Sequence, residues 1–440
     1  MLTGGYLAVS SDNNPNWITA PPSIRSSLLY CTGAREEWSL TCKYFGDWSI
    51  SDLFTRMHFF MRKFRIRRNF FQKSEKKKKE EHYWKNGGAL LTDLITTFGP
   101  RYKIPIRHFS AEEIISATNG FREMVGTGDS DGRMYSGFLE GRPILVKKRE
   151  GDDWIIEKLI RDVTINSQMN HHKNVLKLLG CCLEFEHPAL IYDFCGTDLL
   201  SDILHDEYDC RRSLSWTSRL RIASEIASVI SYLHNAFPTP IIFRDIKPKN
   251  VIIDQHGVAK LFAFSLSISL PPGKLQVEDD VYGTFGYLDP VYFVSNIVTQ
   301  KTDVYSFGML LLQLLTGRKI LYEIDFPTIF EFLNFCIDDT AELDGLVDPK
   351  ILGEGGGVEQ MEQIQAYLHL ALRCVLRDQE DRPFIVDVAK QLRKIERYPH
   401  QLPPLGSTWN TICSLIRAPR TWSRSRLQSD SSVSSPTPSV

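Results

Sequence analysis

The dominant spacing of hydrophobic residues in this 440-residue chain changes between residues 194 and 215. Before this point lie short apolar runs such as V-L-K-L-L-G-C-C-L-E and A-L-I-Y-D-F, which are typical of strands. From residue 215 onward the apolar residues recur at helical spacing, as in L-R-I-A-S-E-I-A-S-V-I-S-Y-L-H. Strands followed by helices predict an α+β fold with two sub-domains.

The first sub-domain has two clear local signals. Residues 133–148 place two apolar runs on either side of Glu140 and Gly141, a pattern that predicts a β-hairpin. Ser110 and Glu113 have the spacing of a capping box, in which the hydroxyl and the carboxylate each accept a backbone N–H. We therefore expect a short helix to begin after Ser110.

Helical patterns are present on both sides of that hairpin. Residues 152–171 have a helical pattern. Residues 86–98, N-G-G-A-L-L-T-D-L-I-T-T-F, also predict a short helix. Its apolar residues are expected to share one side: Leu90, Leu91, Leu94 and Ile95.

Composition narrows the class of protein. The chain is 42% apolar and 24% charged, as in an ordinary globular protein, and its net charge of −1 predicts no nucleic-acid partner. No apolar run reaches the roughly 18 residues of a membrane span, and the first residues do not resemble a signal peptide. The nine cysteines are scattered, which fits a reducing, cytoplasmic compartment. Cys181 and Cys182 lie in an apolar run and are expected to be buried hydrophobes rather than metal ligands.

The two ends of the chain differ from the sub-domains. Residues 1–60 show no sustained period and are expected to be an irregular extension. Residues 61–107 are a basic leader followed by the short helix; between residues 62 and 79 the leader has ten basic residues against one acid, Glu75. Residues 398–440 are Ser- and Pro-rich near the end and are expected to be a disordered tail.

Three interpretations of the basic leader stay open. It can be a solvated segment, a nuclear localisation signal, or a surface that docks on anionic lipid, where each basic residue contributes about 1 kcal/mol. Because stable anchoring generally needs two signals, attachment to the plasma membrane through the leader is expected to be peripheral and salt-sensitive. Sedimentation with anionic liposomes at low salt would separate the lipid-docking interpretation from the solvated one.

Five ordered motifs resemble those of a known family. They are S-A-T-N-G-F, H-K-N-V-L-K-L-L-G-C-C-L-E, F-R-D-I-K-P-K-N, G-T-F-G-Y-L-D-P and K-T-D-V-Y-S-F-G-M-L-L-L-Q-L-L-T-G-R-K. Over about residues 108–397 the chain resembles the eukaryotic protein kinase domain, and within it the plant receptor-like cytoplasmic kinases of the wall-associated type. The resemblance implies a bilobal fold, with a small antiparallel β N-lobe to about residue 194 and a helical C-lobe from about residue 198.

A narrower resemblance rests on N-G-G-A-L-L, on S-L-S-I-S-L-P and on Ala263, which stands where a kinase has the Asp of Asp-Phe-Gly. These features are similar to those of a small plant subfamily of kinase-like adaptors for a coiled-coil NLR immune receptor. In that subfamily the kinase fold is bait and docking surface for pathogen effectors or for kinases that effectors have modified. The resemblance therefore implies two protein partners, an NLR receptor and an effector or modified kinase.

The resemblance also assigns roles by position. Asp245 matches the base that accepts the substrate hydroxyl proton, and Lys247 and Asn250 match its companions. Because side chains alternate along a strand, Lys148 is an alternative to Lys147 as the lysine that pairs with ATP phosphates. The nucleotide-binding set is implied to be Gly126, Gly128, Lys147, Tyr192, Asp193 and Cys195, and structural roles are implied for Asp162, Arg244, Asp303 and Arg382.

Several positions depart from the kinase pattern at the ATP–magnesium site. Ala263 has no ligand atom for magnesium, which leaves Asn250 as the only matching metal ligand. Asp162 is one methylene shorter than the usual Glu, and Asn166 replaces an apolar residue, so weaker coupling between helix and sheet is expected. Asp131 stands where the third glycine of the phosphate loop should fall.

Other departures affect the scaffold. Phe243 replaces a His that is largely a packing element. Val291 replaces a Glu that ordinarily pairs with the Arg matching Arg382, so Arg382 needs another partner. Arg244 normally binds a phosphate on the activation loop. Here the acidic run 278–280 either substitutes for that phosphate or is a solvated loop tip.

These departures favour a protein selected for shape rather than turnover. Losing one preorganised electrostatic stabiliser costs about 10²–10³ in rate, and several changes fall on the same site. We therefore expect a pseudokinase adaptor in plant immune signalling, inactive or very weak as an enzyme, with weak ATP binding and little use of Mg²⁺. The alternative is a weakly active ATP-dependent Ser/Thr kinase, which the retained Lys147, Asp245 and Asn250 favour.

Overall fold

The computed structural model divides the chain into two compact units, residues 1–77 and 78–440. Among the helices in the part of the chain that it describes, none combines the length and the hydrophobicity of a membrane span. Asp131, Cys195 and the tail after residue 397 lie outside that part. The described residues are 6–9, 16–19, 30–34, 37–41, 50–98, 106–129, 132–149, 155–194, 198–205, 213–319, 343–353 and 357–397.

The first unit contains a small sheet that the sequence does not predict, since no regular structure is expected for residues 1–60. The sheet order is β2-β1-β3-β4, with β1 and β3 parallel and the other pairs antiparallel. The strands are β1 (Tyr6–Val9), β2 (Asn16–Thr19), β3 (Tyr30–Ala34) and β4 (Glu37–Thr41).

A single helix, α1 (Ile50–Phe98), occupies most of the segment where a basic leader and a short helix are expected. Residues 50–86 contain neither Gly nor Pro, so nothing in the sequence interrupts the helix before Gly87. Within α1, the side chains of Lys73 and of residues 76–78 are exposed.

In the second unit, α1 packs through one face against the β-rich lobe. The buried Asn86 amide donates to the Leu183 and Phe185 carbonyls at 3.0 and 2.9 Å. Leu90 and Leu94 are buried. The prediction that Leu91 and Ile95 share their side is wrong, since these two are 58% and 45% exposed. Adjacent helical residues differ by about 100° in direction, so a one-residue step turns a side chain out of the core.

The N-terminal lobe is built on a six-stranded sheet of order β5-β9-β10-β8-β7-β6, antiparallel except between β5 and β9. The predicted hairpin is confirmed as β7 and β8, and Glu140 and Gly141 turn it with φ of 52° and 76°. The strands are β5 (Arg107–His108), β6 (Met124–Asp129), β7 (Gly132–Leu139), β8 (Arg142–Lys148), β9 (Leu178–Cys182) and β10 (Ala189–Asp193).

Two helices accompany this sheet. Helix α2 (Ala111–Ala117) begins with the predicted capping box of Ser110 and Glu113, which is confirmed. Helix α3 (Ile155–Met169) lies within the predicted range 152–171 and places Leu159 and Val163 in the same buried cluster as Leu90 and Leu94 of α1. Between the two helices, Arg161 of α3 pairs with Asp93 of α1 at 2.9 Å. Helix α1 therefore braces α3 from outside.

The C-terminal lobe is mostly helical, as predicted, and the α+β, bilobal architecture is confirmed. Its elements are β11 (Asp198–Leu199), α4 (Leu200–Leu204), α5 (Trp216–Asn235), β12 (Ile241–Ile242), a 3-10 turn (Pro248–Asn250), β13 (Val251–Ile253), β14 (Ala259–Leu261), a second 3-10 turn (Phe264–Leu266), β15 (Ile268–Ser269), β16 (Gln276–Glu278), α6 (Pro290–Ser295), β17 (Ile297–Thr299), α7 (Gln300–Thr316), α8 (Leu343–Leu346), α9 (Pro349–Leu352), α10 (Val358–Cys374) and α11 (Ile385–Arg397).

The centre of this lobe is α7, in which every residue from Lys301 to Thr316 is buried. Near it, Arg382 donates two parallel hydrogen bonds to the carboxylate of Asp289, at 2.8 and 2.9 Å. Asp289 is therefore the partner that Arg382 takes where Val291 replaces the usual Glu. Both side chains are fully buried, so each charge depends on the other.

Candidate functional site

The catalytic-loop residues meet around one carboxylate. Asp245 is 2% exposed, and its Oδ2 accepts from Asn250 Nδ2 and lies near Lys247 Nζ, both at 2.8 Å. Its Oδ1 accepts from the Thr284 hydroxyl at 2.6 Å, and Lys247 Nζ also donates to that hydroxyl at 2.9 Å. The structure thus brings together the three residues assigned to catalysis and adds Thr284, from a segment distant in sequence.

The backbone of this loop is held by Asp303, at the start of α7. The fully buried Asp303 carboxylate accepts the N–H groups of Phe243 and Arg244, both at 2.8 Å, and contacts His234 Nε2 at 2.8 Å. Arg244 has a left-handed backbone with φ of 69°, which is costly for any residue with a Cβ. Three contacts on one carboxylate hold the loop in this conformation. Phe243 packs edge-on against Phe264 at 5.3 Å, in agreement with a packing role.

The strand lysine that faces the interior is Lys147. It is 3% exposed, and its Nζ lies 3.3 Å from Asp162 Oδ2 on α3. Lys148 points the other way, with its Nζ over the rings of Phe121 and Phe185. The shorter Asp162 still reaches the lysine, and its Oδ1 also accepts the backbone N–H of Phe264 at 3.0 Å. Helix and sheet are therefore linked at this point although the carboxylate is one methylene shorter than the usual Glu.

Ala263 has an unusual backbone conformation, and its side chain has no atom that could bind a metal ion. It has a left-handed conformation, with φ of 69° and ψ of 62°, and is 2% exposed. A left-handed conformation suits Asp or Asn far better than Ala, because their side chains bond locally. The chain therefore preserves the turn at 263 while the side chain offers no oxygen.

These motifs, arranged in two lobes, can be compared with known proteins. A family model described as "Protein kinase domain" matches residues 123–391. The chain belongs to the protein kinase family. It is 38% identical over 322 residues to the Non-functional pseudokinase ZED1 of Arabidopsis thaliana. These residues cover 71% of this chain and 96% of that protein.

Two further relatives, also from Arabidopsis thaliana, define the range of similarity. The Serine/threonine-protein kinase ZRK1 is 37% identical over 324 residues, 71% of this chain and 91% of that protein. Wall-associated receptor kinase 1 is 36% identical over 325 residues, 72% of this chain and 43% of that protein. The relatives thus include proteins named as kinases and a protein named as a pseudokinase.

Protein kinases use ATP with Mg²⁺, and the residues present can be tested against that requirement. Both donor hydrogens of Asn250 are used, on the carbonyl and on the carboxylate of Asp245, which leaves its Oδ1 as a ligand oxygen. Ala263 supplies none. Across the described residues, no group of three or more His, Cys, Asp or Glu is placed to hold a metal ion. The residues do not fit the usual magnesium site of a kinase.

The remaining nucleotide positions are only partly described. Gly126 and Gly128 lie in β6, where the pairing with β7 is irregular between Val125 and Asp129. Asp131 and Cys195 lie outside the described residues. Tyr192 is fully buried at the end of β10, and Asp193 is half-buried beside it. Among the described residues assigned to ATP binding, Lys147 is the one with a buried charged group that an ion pair, with Asp162, holds in position.

The activation segment meets the catalytic loop at Arg244. The nearly buried guanidinium places Nη1 2.5 Å from Asp279 Oδ2. The sequence left two alternatives for the acidic run 278–280, a substitute for the phosphate or a solvated loop tip. In the structure, Asp279 of this run pairs with Arg244. Burial, followed by the nearby carboxylates of Asp280 and Asp279, raises the pKa of Tyr282 in the same segment.

Sequence motifs alone do not reveal several contacts that complete the site. Thr284 lies in the motif G-T-F-G-Y-L-D-P, but nothing local shows that its hydroxyl bonds to Asp245. His234 and Asp289 likewise gain their roles from elements far along the chain. The two cysteines behave as predicted: Cys181 and Cys182 are buried, and burial raises the pKa of each thiol to about 12.

Asn166 is the least satisfied polar side chain on α3. It is fully buried, one turn after Asp162, and neither amide atom has a hydrogen-bond partner in the described part of the chain. An unsatisfied buried polar group costs about 1–3 kcal/mol.

Replacing Asn166 with Leu is expected to stabilise the protein by about 1–2 kcal/mol, because the unpaired amide is removed and an apolar group takes its place. Denaturant unfolding would measure this change. Equal or lower stability of Asn166→Leu relative to wild type would show that the amide is satisfied, for instance by buried water.

Magnesium is expected to add nothing to the stabilisation of the wild type by ATP, because the site lacks the carboxylate of a kinase. Ala263→Asp should gain a Mg²⁺-dependent increase in melting temperature of about 2 °C or more. Ala263→Asn is the matched control, since Asn also tolerates the left-handed backbone but adds no charge. A strong Mg²⁺-dependent shift in the wild type would contradict the fit argument.

Proposed function

We propose that the protein is a pseudokinase adaptor in plant immune signalling, which binds an NLR receptor and presents a kinase-like surface to a pathogen effector or a modified kinase. The observation that carries this proposal is Ala263, a buried residue whose side chain has no oxygen at the position of the magnesium-binding Asp. Similarity to two Arabidopsis thaliana proteins, the Non-functional pseudokinases ZED1 and ZRK2, supports it.

The intact scaffold supports a role that depends on shape. Asp303 holds the catalytic loop, Asp162 links α3 to Lys147 and to the segment after Ala263, and Arg382 is paired with Asp289. None of these contacts needs a metal ion or a nucleotide. A protein partner would therefore meet the form of a folded kinase even where phosphate transfer is absent.

The outer face of α1 is a candidate receptor-binding surface. Trp84, Leu91 and Ile95 are 69%, 58% and 45% exposed. With the exposed Gly88, their spacing of four, three and four residues places them on one helical face, along about 16 Å of axis. The opposite face is anchored by Asn86, so this apolar stripe is held rigidly on the N-terminal lobe. A rigid, exposed apolar stripe of this kind is typical of a protein-binding surface.

The second candidate function is that of a weak Ser/Thr kinase. Asp245, Lys247 and Asn250 are arranged around one carboxylate, and Lys147 is paired with Asp162. One relative is named as a Serine/threonine-protein kinase. A single ligand oxygen on Asn250 would make metal-assisted transfer slow, because the metal normally neutralises charge on the phosphates.

A phosphotransfer assay separates the two functions. Wild-type protein with radiolabelled ATP and Mg²⁺ is expected to incorporate no more label than Asp245→Asn, because the metal site is incomplete. Label that appears in the wild type and disappears in Asp245→Asn would establish the kinase function instead. Ala263→Asp, assayed in parallel, would show whether the missing carboxylate alone limits transfer.

Receptor binding is expected to depend on the apolar stripe of α1. Leu91→Glu, which places a charge in the stripe, should remove an NLR receptor from material purified with the tagged full chain from plant tissue. Thr96→Glu is the matched control, since Thr96 is exposed on the same helix about 100° from Ile95. Identification by mass spectrometry of an NLR receptor with wild type and Thr96→Glu, but not with Leu91→Glu, is the expected result.

Two outcomes would contradict the receptor proposal. One is the absence of any NLR receptor from the wild-type material. The other is equal recovery of the receptor with Leu91→Glu, which would place its binding surface elsewhere on the chain. Adding a pathogen effector or a modified kinase to the same purification tests the second partner.

A further inference from the structure

Arg244 matches the arginine that, in many kinases, binds a phosphate on the activation segment through its guanidinium. In this chain its side chain is almost fully buried, with a relative exposure of 6%. Its Nε donates to the Leu266 carbonyl, and its Nη1 lies 3.4 Å from the hydroxyl of Tyr292 and 2.5 Å from Asp279 Oδ2. A buried guanidinium needs an anion, and Asp279 supplies it.

Asp279 is held in place by its own backbone. Immediately before it, β16 pairs antiparallel with β17, in the register Gln276–Thr299 to Glu278–Ile297. Its N–H then donates to the Asn296 carbonyl at 2.9 Å, and Asn296 ends α6 in a left-handed conformation with φ of 60°. The carboxylate is therefore delivered to Arg244 by a short strand rather than by a free loop tip.

The residues after Asp279 are fixed by the same neighbours. The buried Tyr292 hydroxyl donates to the Asp280 carbonyl at 2.6 Å and accepts the Tyr282 N–H at 3.0 Å. The Tyr282 ring has Lys158 Nζ of α3 at 3.8 Å and Arg244 Cζ at 5.3 Å from its centroid. Cation–π contacts of this kind attach the segment to α3 as well as to the catalytic loop.

The sequence of the segment removes the usual source of a phosphate. Residues 270–283, L-P-P-G-K-L-Q-V-E-D-D-V-Y-G, contain neither Ser nor Thr. The next Ser or Thr is Thr284, and its hydroxyl is engaged with Asp245 and Lys247. A phosphorylated Ser or Thr between residues 270 and 283 is thus impossible.

We propose that Asp279 is a built-in anion for Arg244, so that the activation segment takes its ordered conformation without phosphorylation. Residues 276–288 then keep one conformation at all times. This inference does not depend on the proposed adaptor function, because it holds equally for a weak kinase. The conformation of the segment is therefore constant and is not switched by phosphorylation.

Hydrogen exchange of the phosphatase-treated full chain tests the proposal. Wild-type amides in 276–288 should be protected, and Asp279→Asn, which keeps the shape but removes the charge, should speed their exchange by about ten- to a hundredfold, the loss expected for a hydrogen bond between charged groups. Asp280→Asn is the matched control, because Asp280 is the adjacent acid and its carboxylate accepts a long 3.4 Å hydrogen bond from the Tyr282 hydroxyl instead of pairing with Arg244.

Two exchange results would overturn the proposal. In one, the phosphatase-treated wild type exchanges as fast as Asp279→Asn. In the other, Asp279→Asn exchanges within about twofold of Asp280→Asn, which would show that the charge of residue 279 does not order the segment.

Anion binding by Arg244 after removal of the Asp279 carboxylate gives an independent measurement. Asp279→Ala leaves the guanidinium without its carboxylate, so inorganic phosphate should raise the melting temperature of this variant more than that of wild type or Asp280→Ala. Adding Arg244→Gln to Asp279→Ala should abolish the extra shift. Equal phosphate shifts in all variants would show that Arg244 does not form an anion site there.

Discussion

One buried carboxylate, that of Asp303, holds the catalytic loop on which the rest of the site depends. It accepts the N–H groups of two successive residues, Phe243 and Arg244, and contacts His234. These contacts offset the left-handed backbone of Arg244, a strain of about 1–2 kcal/mol for an L-residue. With the backbone held in this way, the Arg244 side chain pairs with Asp279, and the Asp245 carboxylate accepts a hydrogen bond from the Thr284 hydroxyl.

Helix α3 is the second organising element, because it is tied on several sides. Asp162 reaches both Lys147 of the sheet and the N–H of Phe264, Arg161 pairs with Asp93 of α1, and Lys158 lies over Tyr282. A protein kinase needs this helix close to the sheet in order to position ATP. Here the position is kept by contacts within the chain, although the metal site beside it is incomplete.

The difference between shape and chemistry in this protein therefore rests on a few atoms. Ala263 retains the left-handed turn of its position and lacks only a carboxylate. Because backbone contacts and buried ion pairs hold the surrounding segments, losing that carboxylate removes a ligand without removing the fold. The same principle applies to Arg244, for which a carboxylate in the chain stands where a phosphate would otherwise be needed.

Much of the fold could be predicted from the sequence because its signals are local. The β7–β8 hairpin follows from two apolar runs around Glu140 and Gly141, and the start of α2 follows from Ser110 and Glu113. The small sheet within residues 1–60 and the length of α1 were not predictable in this way. The strands of that sheet carry no clear alternation, and the pattern of residues 86–98 does not show how far the helix extends before it.

The candidate site divides along the same line between local and distant contacts. By itself the sequence determined the kinase family, the trio Asp245, Lys247 and Asn250 that matches the catalytic loop of a kinase, and the missing ligand at Ala263, because these are fixed by residue type and spacing. Only the tertiary structure decided which lysine faces the interior, that Asp162 is long enough to reach it, and that Arg244 and Arg382 take Asp279 and Asp289. These pairings join residues far apart in the chain, and packing rather than local pattern decides which buried charges meet.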